Sequence, residues 1–303
     1  MHLLHRLAWR YRSMAIPFFT GVCTALVTPF LGAKVNYPML QRLLQYQIDE
    51  GVGAVVIAGT TGESPTLSDE EKIRLFETSK SYVGNNCKII AGTGSNSTAH
   101  AVSLSVQAEQ AGADALLVVS PYYNKGTEEG LFAHYLSIAH AVSIPVILYN
   151  VPSRTGADIP LSVYKRLSQV PNIVGVKEAG TDITKLIEIR NACGPNFTVW
   201  TGNDDLTVPA ISLGAQGVIS VASNICPREM RVMADAALDG DFDTASEIAC
   251  QLHPLIKLLF AEVNPVIVKE AMKYIGFDCG KCRLPLTQPK KENIEKLQKY
   301  FEK

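Results

Sequence analysis

The chain has 303 residues, of which 47 % are hydrophobic and 19 % charged, the balance of a globular, soluble protein with room for one large domain or two ordinary ones. Its formal net charge of −1 provides no basic footprint for nucleic acid. No apolar run approaches the roughly 18–20 residues that a membrane span needs, so neither a nucleic-acid nor a membrane partner is expected.

Residues 1–13 carry Arg6, Arg10 and Arg12 with no acidic residue before Asp49. They read as an N-terminal extension outside the fold, with Met14 as an alternative start. Beyond them short apolar runs recur, each followed by a helical pattern: Val22–Val27, Ala54–Ala58, Lys88–Ala91, Ala115–Val119, Val146–Tyr149, Ile173–Val176, Thr198–Trp200 and Val218–Val221. They are rich in Val and Ile and nearly continuous, as strands buried on both faces are. Between them, Asn36 precedes Pro38 and a periodic run to Asp49, and Ser68 with Glu71 forms a capping box. Gly84, Gly112, Gly194 and Gly214 follow helical patterns where a left-handed residue is expected, and Pro227 suits the first turn of a helix. After about residue 225 the strands stop, and residues 227–239, 242–260, 265–275 and a stretch near 290–302 read as helices.

Eight strands alternating with helices predict a (β/α)₈ TIM barrel over residues 14–225, with a C-terminal α-helical domain, residues 226–303, packed on it. An open doubly wound sheet is the competing arrangement. It usually carries a nucleotide-binding loop, and neither GxGxxG nor GxxxxGK occurs.

Seven cysteines in a chain of this length do not make a disulfide framework. Cys23, Cys87, Cys193, Cys226 and Cys250 sit singly and read as free buried thiols in a reducing compartment, which points to the cytoplasm. Cys279-Gly-Lys-Cys282 is the one CxxC, but no thioredoxin-like pattern surrounds it and no second pair completes a zinc site. No histidine falls in a metal spacing, and His134 and His140 read as surface or internally satisfied positions on a helix. No metal is expected.

In a barrel the catalytic groups stand at the C-terminal ends of the strands. Polar residues cluster there: Gly59–Glu63, Gly92–Ser95, Pro121–Asn124, Asn150–Gly156, Lys177-Glu178, Gly202–Asp204 and Ser223-Asn224. Lys177 stands out because Lys is depleted in strands and rarely buried. Alternation places Lys177 on one face with Gly175 and Ile173, and Glu178 on the other, so that an inward Lys177 lacks a carboxylate neighbour on its own strand. Desolvation there would favour the neutral amine, the form that attacks a ketone; the competing reading is a lysine reaching solvent from a strand end. Tyr149 ends the neighbouring strand and can approach Lys177 as a proton relay, or serve simply as core. Thr60 and Thr61 belong to a Thr-Thr-Gly turn that either grips a carboxylate or only turns the chain, Gly62 suiting a left-handed position. Arg154, in a loop at the barrel mouth, is suited to bidentate carboxylate binding. Tyr122 and Tyr123 suit either packing or an interface.

With these residues in hand, the chain resembles the dihydrodipicolinate synthase family of pyruvate-dependent class I aldolases from about Gly21 to Leu286. The motifs are GTTGES at Gly59–Ser64, AGTGSN at Ala91–Asn96, PYYNK at Pro121–Lys125, YNVPSRTG at Tyr149–Gly156, VKEA at Val176–Ala179, GND at Gly202–Asp204, GVISV at Gly217–Val221, NPVIVK at Asn264–Lys269 and RLPL at Arg283–Leu286. The resemblance implies that Lys177 forms an imine with pyruvate, that Tyr149, Thr60 and Tyr123 relay protons with Tyr123 reaching a neighbouring subunit, and that Thr61 holds the pyruvate carboxylate. It further implies that Arg154 binds the carboxylate of L-aspartate-4-semialdehyde and that Gly202 and Ile219 line the pocket. No organic cofactor is implied, and the implied assembly is a homotetramer of tight dimers. Neuraminate and keto-sugar-acid lyases share the imine, but their aldehydes are neutral sugars, and they typically lack an arginine in the segment that holds Arg154. A second, regulatory site for lysine is implied around Ser64, Asn96 and Tyr122. Asp69, Lys72 and His100 depart from the pattern of lysine-inhibited members, so lysine inhibition is expected to be weak or absent. A non-catalytic barrel and a thiol redox protein through Cys279 and Cys282 are the readings from other classes.

Overall fold

The structure, a computed structural model, describes residues 16–302; the expected extension 1–13 and the alternative start at Met14 lie outside them. Among the described residues eight parallel strands close into a barrel. They are β1 (Gly21–Ala25), β2 (Ala54–Ile57), β3 (Lys88–Gly92), β4 (Ala115–Val119), β5 (Val146–Asn150), β6 (Ile173–Glu178), β7 (Thr198–Thr201) and β8 (Gly217–Ser220). Each pairs with its neighbours in chain order, and β1 closes the ring by pairing with both β2 and β8. The helices between them are α1 (Tyr37–Asp49), α2 (Asp69–Val83), α3 (Thr98–Gln110), α4 (Glu128–Ala141), α5 (Leu161–Leu167), α6 (Thr184–Cys193), α7 (Thr207–Ser212) and α8 (Pro227–Leu238). The (β/α)₈ expectation holds, and the open sheet is excluded.

Local chemistry sets the helix ends as expected. Asn36 Oδ1 accepts from the Met39 N–H at 3.2 Å, and Ser68 and Glu71 close a reciprocal capping box. Gly84, Gly112, Gly194 and Gly214 all take positive φ. Two short pieces, Phe30–Leu31 and Lys34–Val35, pair as a small hairpin beside the barrel. Their brevity hid them from any periodicity argument.

Apolar side chains of the strands divide into two layers. One faces the helices. The other fills the ring and includes Cys23, Val56, Ile90, Leu117, Ile147, Tyr149, Trp200 and Ile219. Phe19, entering β1, stacks on Trp200 with ring centroids 4.7 Å apart and accepts the indole N–H on its carbonyl at 3.1 Å. Gly175 makes room for that indole, since a Cβ there would lie 2.9 Å from the Trp200 ring.

β6 departs from simple alternation. Val146 pairs with Ile173, but Ile147 pairs with Gly175, so Val174 is an extra residue opposite β5. Ile173 therefore packs outward with the helix-facing layer, while Val174 packs against the ring interior. The expectation that Ile173 shares the face of Lys177 fails at this bulge. Gly175 and Lys177, beyond it, remain inward.

The chain past residue 225 divides differently from the expected boundary. Helix α8 packs on β1 and β8, in the place of the eighth barrel helix. What extends the barrel is α9 (Phe242–Leu259), α10 (Val266–Ala271) and α11 (Lys291–Phe301). This extension is keyed to the loop after β2 by a buried ion pair. Lys269 Nζ lies 2.8 Å from Glu63 Oε1, and the two side chains are 2 % and 0 % exposed. Lys269 also donates to the Thr28 carbonyl at 3.0 Å, and Glu63 Oε2 accepts from the Arg283 backbone N–H at 2.8 Å. The Arg283 guanidinium forks onto both oxygens of Glu71 at 2.6 Å each. In the same loop Glu63, rather than Gly62, takes the left-handed conformation, with φ 58°. Gly62 serves close approach instead, because a Cβ there would stand 3.1 Å from the Ala58 backbone and from Thr28 Oγ1.

All seven cysteines are free, although Cys250 is exposed and Cys193 half-buried, against the expectation of burial for both. Burial pushes the thiols of Cys279 and Cys282 up to about 12, which opposes the thiolate that redox exchange needs. His140 is exposed, but His134 is buried, and burial pushes its imidazole down to about 4, so it is neutral, with Nδ1 2.9 Å from Thr98 Oγ1. No helix among the described residues is long and apolar enough to cross a membrane.

Candidate active site

A cavity of about 190 Å³ opens at the C-terminal ends of the strands. Its walls include Thr60 and Thr61 after β2, Tyr149 on β5, Arg154 after β5, Lys177 on β6, Gly202 after β7, and Asn264 from the C-terminal extension. Lys177 is 5 % exposed, and its Nζ lies 4.6 Å from the centroid of the Tyr149 ring. The proximity follows from register, since Tyr149 and Lys177 are paired across β5 and β6. Gly202 is required by Ala179 and the lysine together: a Cβ there would fall 2.6 Å from Ala179 Cβ and 2.7 Å from Lys177 Cε.

Thr61 is 2 % exposed, and its Oγ1 accepts from Asn264 Nδ2 at 2.9 Å. Asn264 Oδ1 is buried without a protein partner. Arg154 is exposed in a single helical turn, Pro152–Thr155, and one guanidinium nitrogen lies 3.4 Å from the Asn264 carbonyl. Most of its donors are therefore open to a ligand. Ile219 is fully buried in the barrel interior, and the cavity wall on that side is Val221. Tyr123 stands 91 % exposed at φ 72° and does not join the cavity of its own chain.

Two residues of the site were missed as site residues in the sequence. Asn264 comes from a motif 87 positions after Lys177, and nothing local marks it as reaching the barrel mouth. Asp204 is 2 % exposed, with Oδ2 accepting the Val221 and Ala222 N–H groups at 3.1 and 2.9 Å. Burial pushes its carboxyl up, and hydrogen bonds and the charge of Lys177 act against that. Lys177 thus has a buried carboxylate within electrostatic reach, although none neighbours it on its own strand.

A second cavity, of about 280 Å³, shares Thr60, Tyr149 and Arg154 with the first and continues to Ser64, Lys72, His100 and Tyr122. Asp69 bridges two of these, with His100 Nε2 at 2.8 Å and Lys72 Nζ at 3.6 Å. Lys72 is 7 % exposed, and burial pushes its ammonium down while Asp69 opposes. Asn96 stands apart from this cavity's walls, its carbonyl accepting from Asn124 Nδ2 at 2.9 Å.

A model of the dihydrodipicolinate synthetase family matches residues 18–303. A 4-hydroxy-tetrahydrodipicolinate synthase of Acetivibrio thermocellus is 47 % identical over 284 residues, covering 94 % of this chain and 97 % of the relative. Among solved structures, the dihydrodipicolinate synthase of Aquifex aeolicus matches with a TM-score of 0.92 at 44 % identity, over 94 % of this chain and 97 % of that one. The chloride-inhibited dihydrodipicolinate synthase of Acinetobacter baumannii, solved with pyruvate, matches with a TM-score of 0.91 at 39 % identity, over 93 % of this chain and 98 % of that one.

Proposed function

Since the chain belongs to the dihydrodipicolinate synthetase family, a family of lyases, we propose that it is a 4-hydroxy-tetrahydrodipicolinate synthase joining pyruvate, held as an imine on Lys177, to L-aspartate-4-semialdehyde. The observation that carries this is a buried amine beside a phenol, at the floor of a cavity with hydroxyl donors on one side and an open guanidinium on the other.

The steps follow from those groups. The neutral Lys177 amine adds to the pyruvate carbonyl carbon, and water leaves to give the imine. The imine nitrogen withdraws electrons, so a methyl proton passes to the relay of Tyr149, Thr60 and, from a second copy of the chain, Tyr123. The resulting enamine carbon forms a bond to the aldehyde carbon, whose oxygen takes up a proton. The substrate's own amine then attacks the imine carbon and expels Lys177, closing the ring with one water lost overall. Thr61, oriented by Asn264, grips the pyruvate carboxylate, and Arg154 takes the carboxylate of the aldehyde. The left-handed, exposed Tyr123 supports an assembly in which neighbouring chains complete each other's sites, for which a homotetramer is proposed. The groups invoked are side chains of the protein and the amine of the substrate, and the reading assigns no organic cofactor and a cytoplasmic location.

The discriminating assay pairs pyruvate with either L-aspartate-4-semialdehyde or N-acetylmannosamine. Turnover with the first is expected. Turnover with the second alone would make the chain a sugar-acid lyase. Arg154→Ala is expected to raise the KM for the semialdehyde by about 10–100-fold, the worth of one charge-assisted pairing, while borohydride trapping of pyruvate stays within about twofold. Equal loss of both would contradict the role given to Arg154.

The second cavity supports weak or absent lysine feedback. Asp69 already serves His100 and Lys72, and a cationic ligand would face the Lys72 ammonium. Isothermal titration of lysine should give no tight binding; saturable micromolar binding would overturn this expectation.

A further inference from the structure

Behind the reacting pair lies a second pair. Tyr149 and Lys177 face the cavity; the next residue on each strand, Asn150 and Glu178, faces outward toward α5. The two are register partners, and both are buried, at 0 % and 2 % exposure. Asn150 Nδ2 donates to both Glu178 oxygens, at 3.0 and 2.9 Å, and to Asp158 Oδ1 at 2.7 Å. Asn150 Oδ1 accepts the Ile159 N–H at 3.1 Å. Glu178 also accepts from the Tyr164 hydroxyl at 3.2 Å and from the Gly180 N–H at 2.8 Å. The Gly180 carbonyl in turn accepts from Asn203 Nδ2 at 2.8 Å, and Asn203 lines the cavity.

This arrangement is costly for its position. A buried carboxylate loses hydration, and the nearest cation of the group, Lys185, pairs with Asp158 rather than with Glu178. Two apolar residues would fill the same space at less cost. What the polar pair adds is register. β5 and β6 slip by one residue at Val174, so the alignment of their first halves does not carry through to their ends. Beyond the slip the backbone pairs Ile147 with Gly175 through to Asn150 with Glu178, and the side-chain contact that closes this new register stands one residue past Tyr149 and Lys177.

We propose that Asn150 and Glu178 form a positioning pair that holds the Tyr149 phenol at its working distance from the Lys177 amine and ties both to the loop after β7. The proposal rests on the imine chemistry assigned to Lys177 and extends it. Neither side chain touches substrate; they act through the strands they clamp and through Gly180 and Asn203.

The test is the pyruvate concentration at which borohydride trapping on Lys177 is half-maximal, measured on the folded full-length chain for Glu178→Gln, Asn150→Ala and the double variant. Glu178→Gln is near-isosteric and places an amide donor against the Asn150 amide, so it disturbs the pair with the least risk to folding. Each single variant is expected to raise the half-maximal concentration by about 10–100-fold, the scale of a small misplacement of reacting groups. The double variant should be no worse than the weaker single variant by more than about threefold, because the two act as one unit. A merely structural role would lower melting temperature and active fraction without moving that concentration, and this result would overturn the proposal. Independent, multiplying losses would overturn it too. Absence of any adduct on wild-type Lys177 would instead refute the imine assignment, so the two failures are distinct.

Discussion

Lys177→Met is expected to lower turnover of pyruvate with L-aspartate-4-semialdehyde by at least about 10³-fold, the scale seen when a covalent nucleophile is removed. Methionine nearly matches the lysine stem, so the close approach of that stem to Gly202 survives. Lys177→Arg is the sharper control. It keeps the positive charge that Asp204 feels, but a guanidinium does not deprotonate and cannot form the imine. Both variants should fold with wild-type melting behaviour and fail equally. If Lys177→Arg retained a tenth of the activity, charge rather than nucleophilicity would be the lysine's contribution, and the proposed chemistry would be wrong.

The second large effect is one of stability. Lys269→Met is expected to cost about 3–5 kcal/mol in urea unfolding, because it leaves the Glu63 carboxylate buried without its cation. The double variant Glu63→Leu with Lys269→Met should recover much of that loss, since a packed apolar pair carries no desolvation cost. The backbone makes the recovery incomplete: Glu63 sits at φ 58°, and a branched replacement does not relieve that. The pair also bears on the site. Glu63 follows Thr60 and Thr61 in one loop, and Lys269 follows Asn264, which holds Thr61. Loss of the ion pair is therefore expected to raise the pyruvate KM as well as to lower stability. A Lys269→Met protein as stable as wild type would show that the Glu63–Lys269 pair contributes nothing to holding the extension.

The barrel was readable because its strands are continuous apolar runs, each followed by a helix, some of them with a legible cap, as at Ser68 and Glu71. Most of the wall of the candidate site was readable for a related reason, since Thr60, Tyr149, Arg154 and Lys177 all follow or end a strand. What escaped was non-local or phase-breaking. Asn264 reaches the site from the extension, and no periodicity predicts where an extension packs. Val174 breaks the alternation of β6; Gly175 beside it is the one mark of a bulge in the sequence, and a glycine in a strand equally marks a close backbone approach. Glu63 and Lys269 look like ordinary motif charges in the sequence, and only their 2.8 Å separation inside the protein makes them a joint. Helix α8 reads like the first helix of an extension because a boundary between barrel and extension is a matter of packing, not of composition.

Covalent capture of a keto acid by the buried amine of Lys177 is tested most directly by borohydride reduction in the presence of pyruvate, followed by mass mapping of the peptides. One stable adduct is expected, on the peptide containing Lys177, and none on the Lys177→Met protein. An adduct on Lys72, the buried lysine of the adjoining cavity, or no adduct at all, would contradict the assignment.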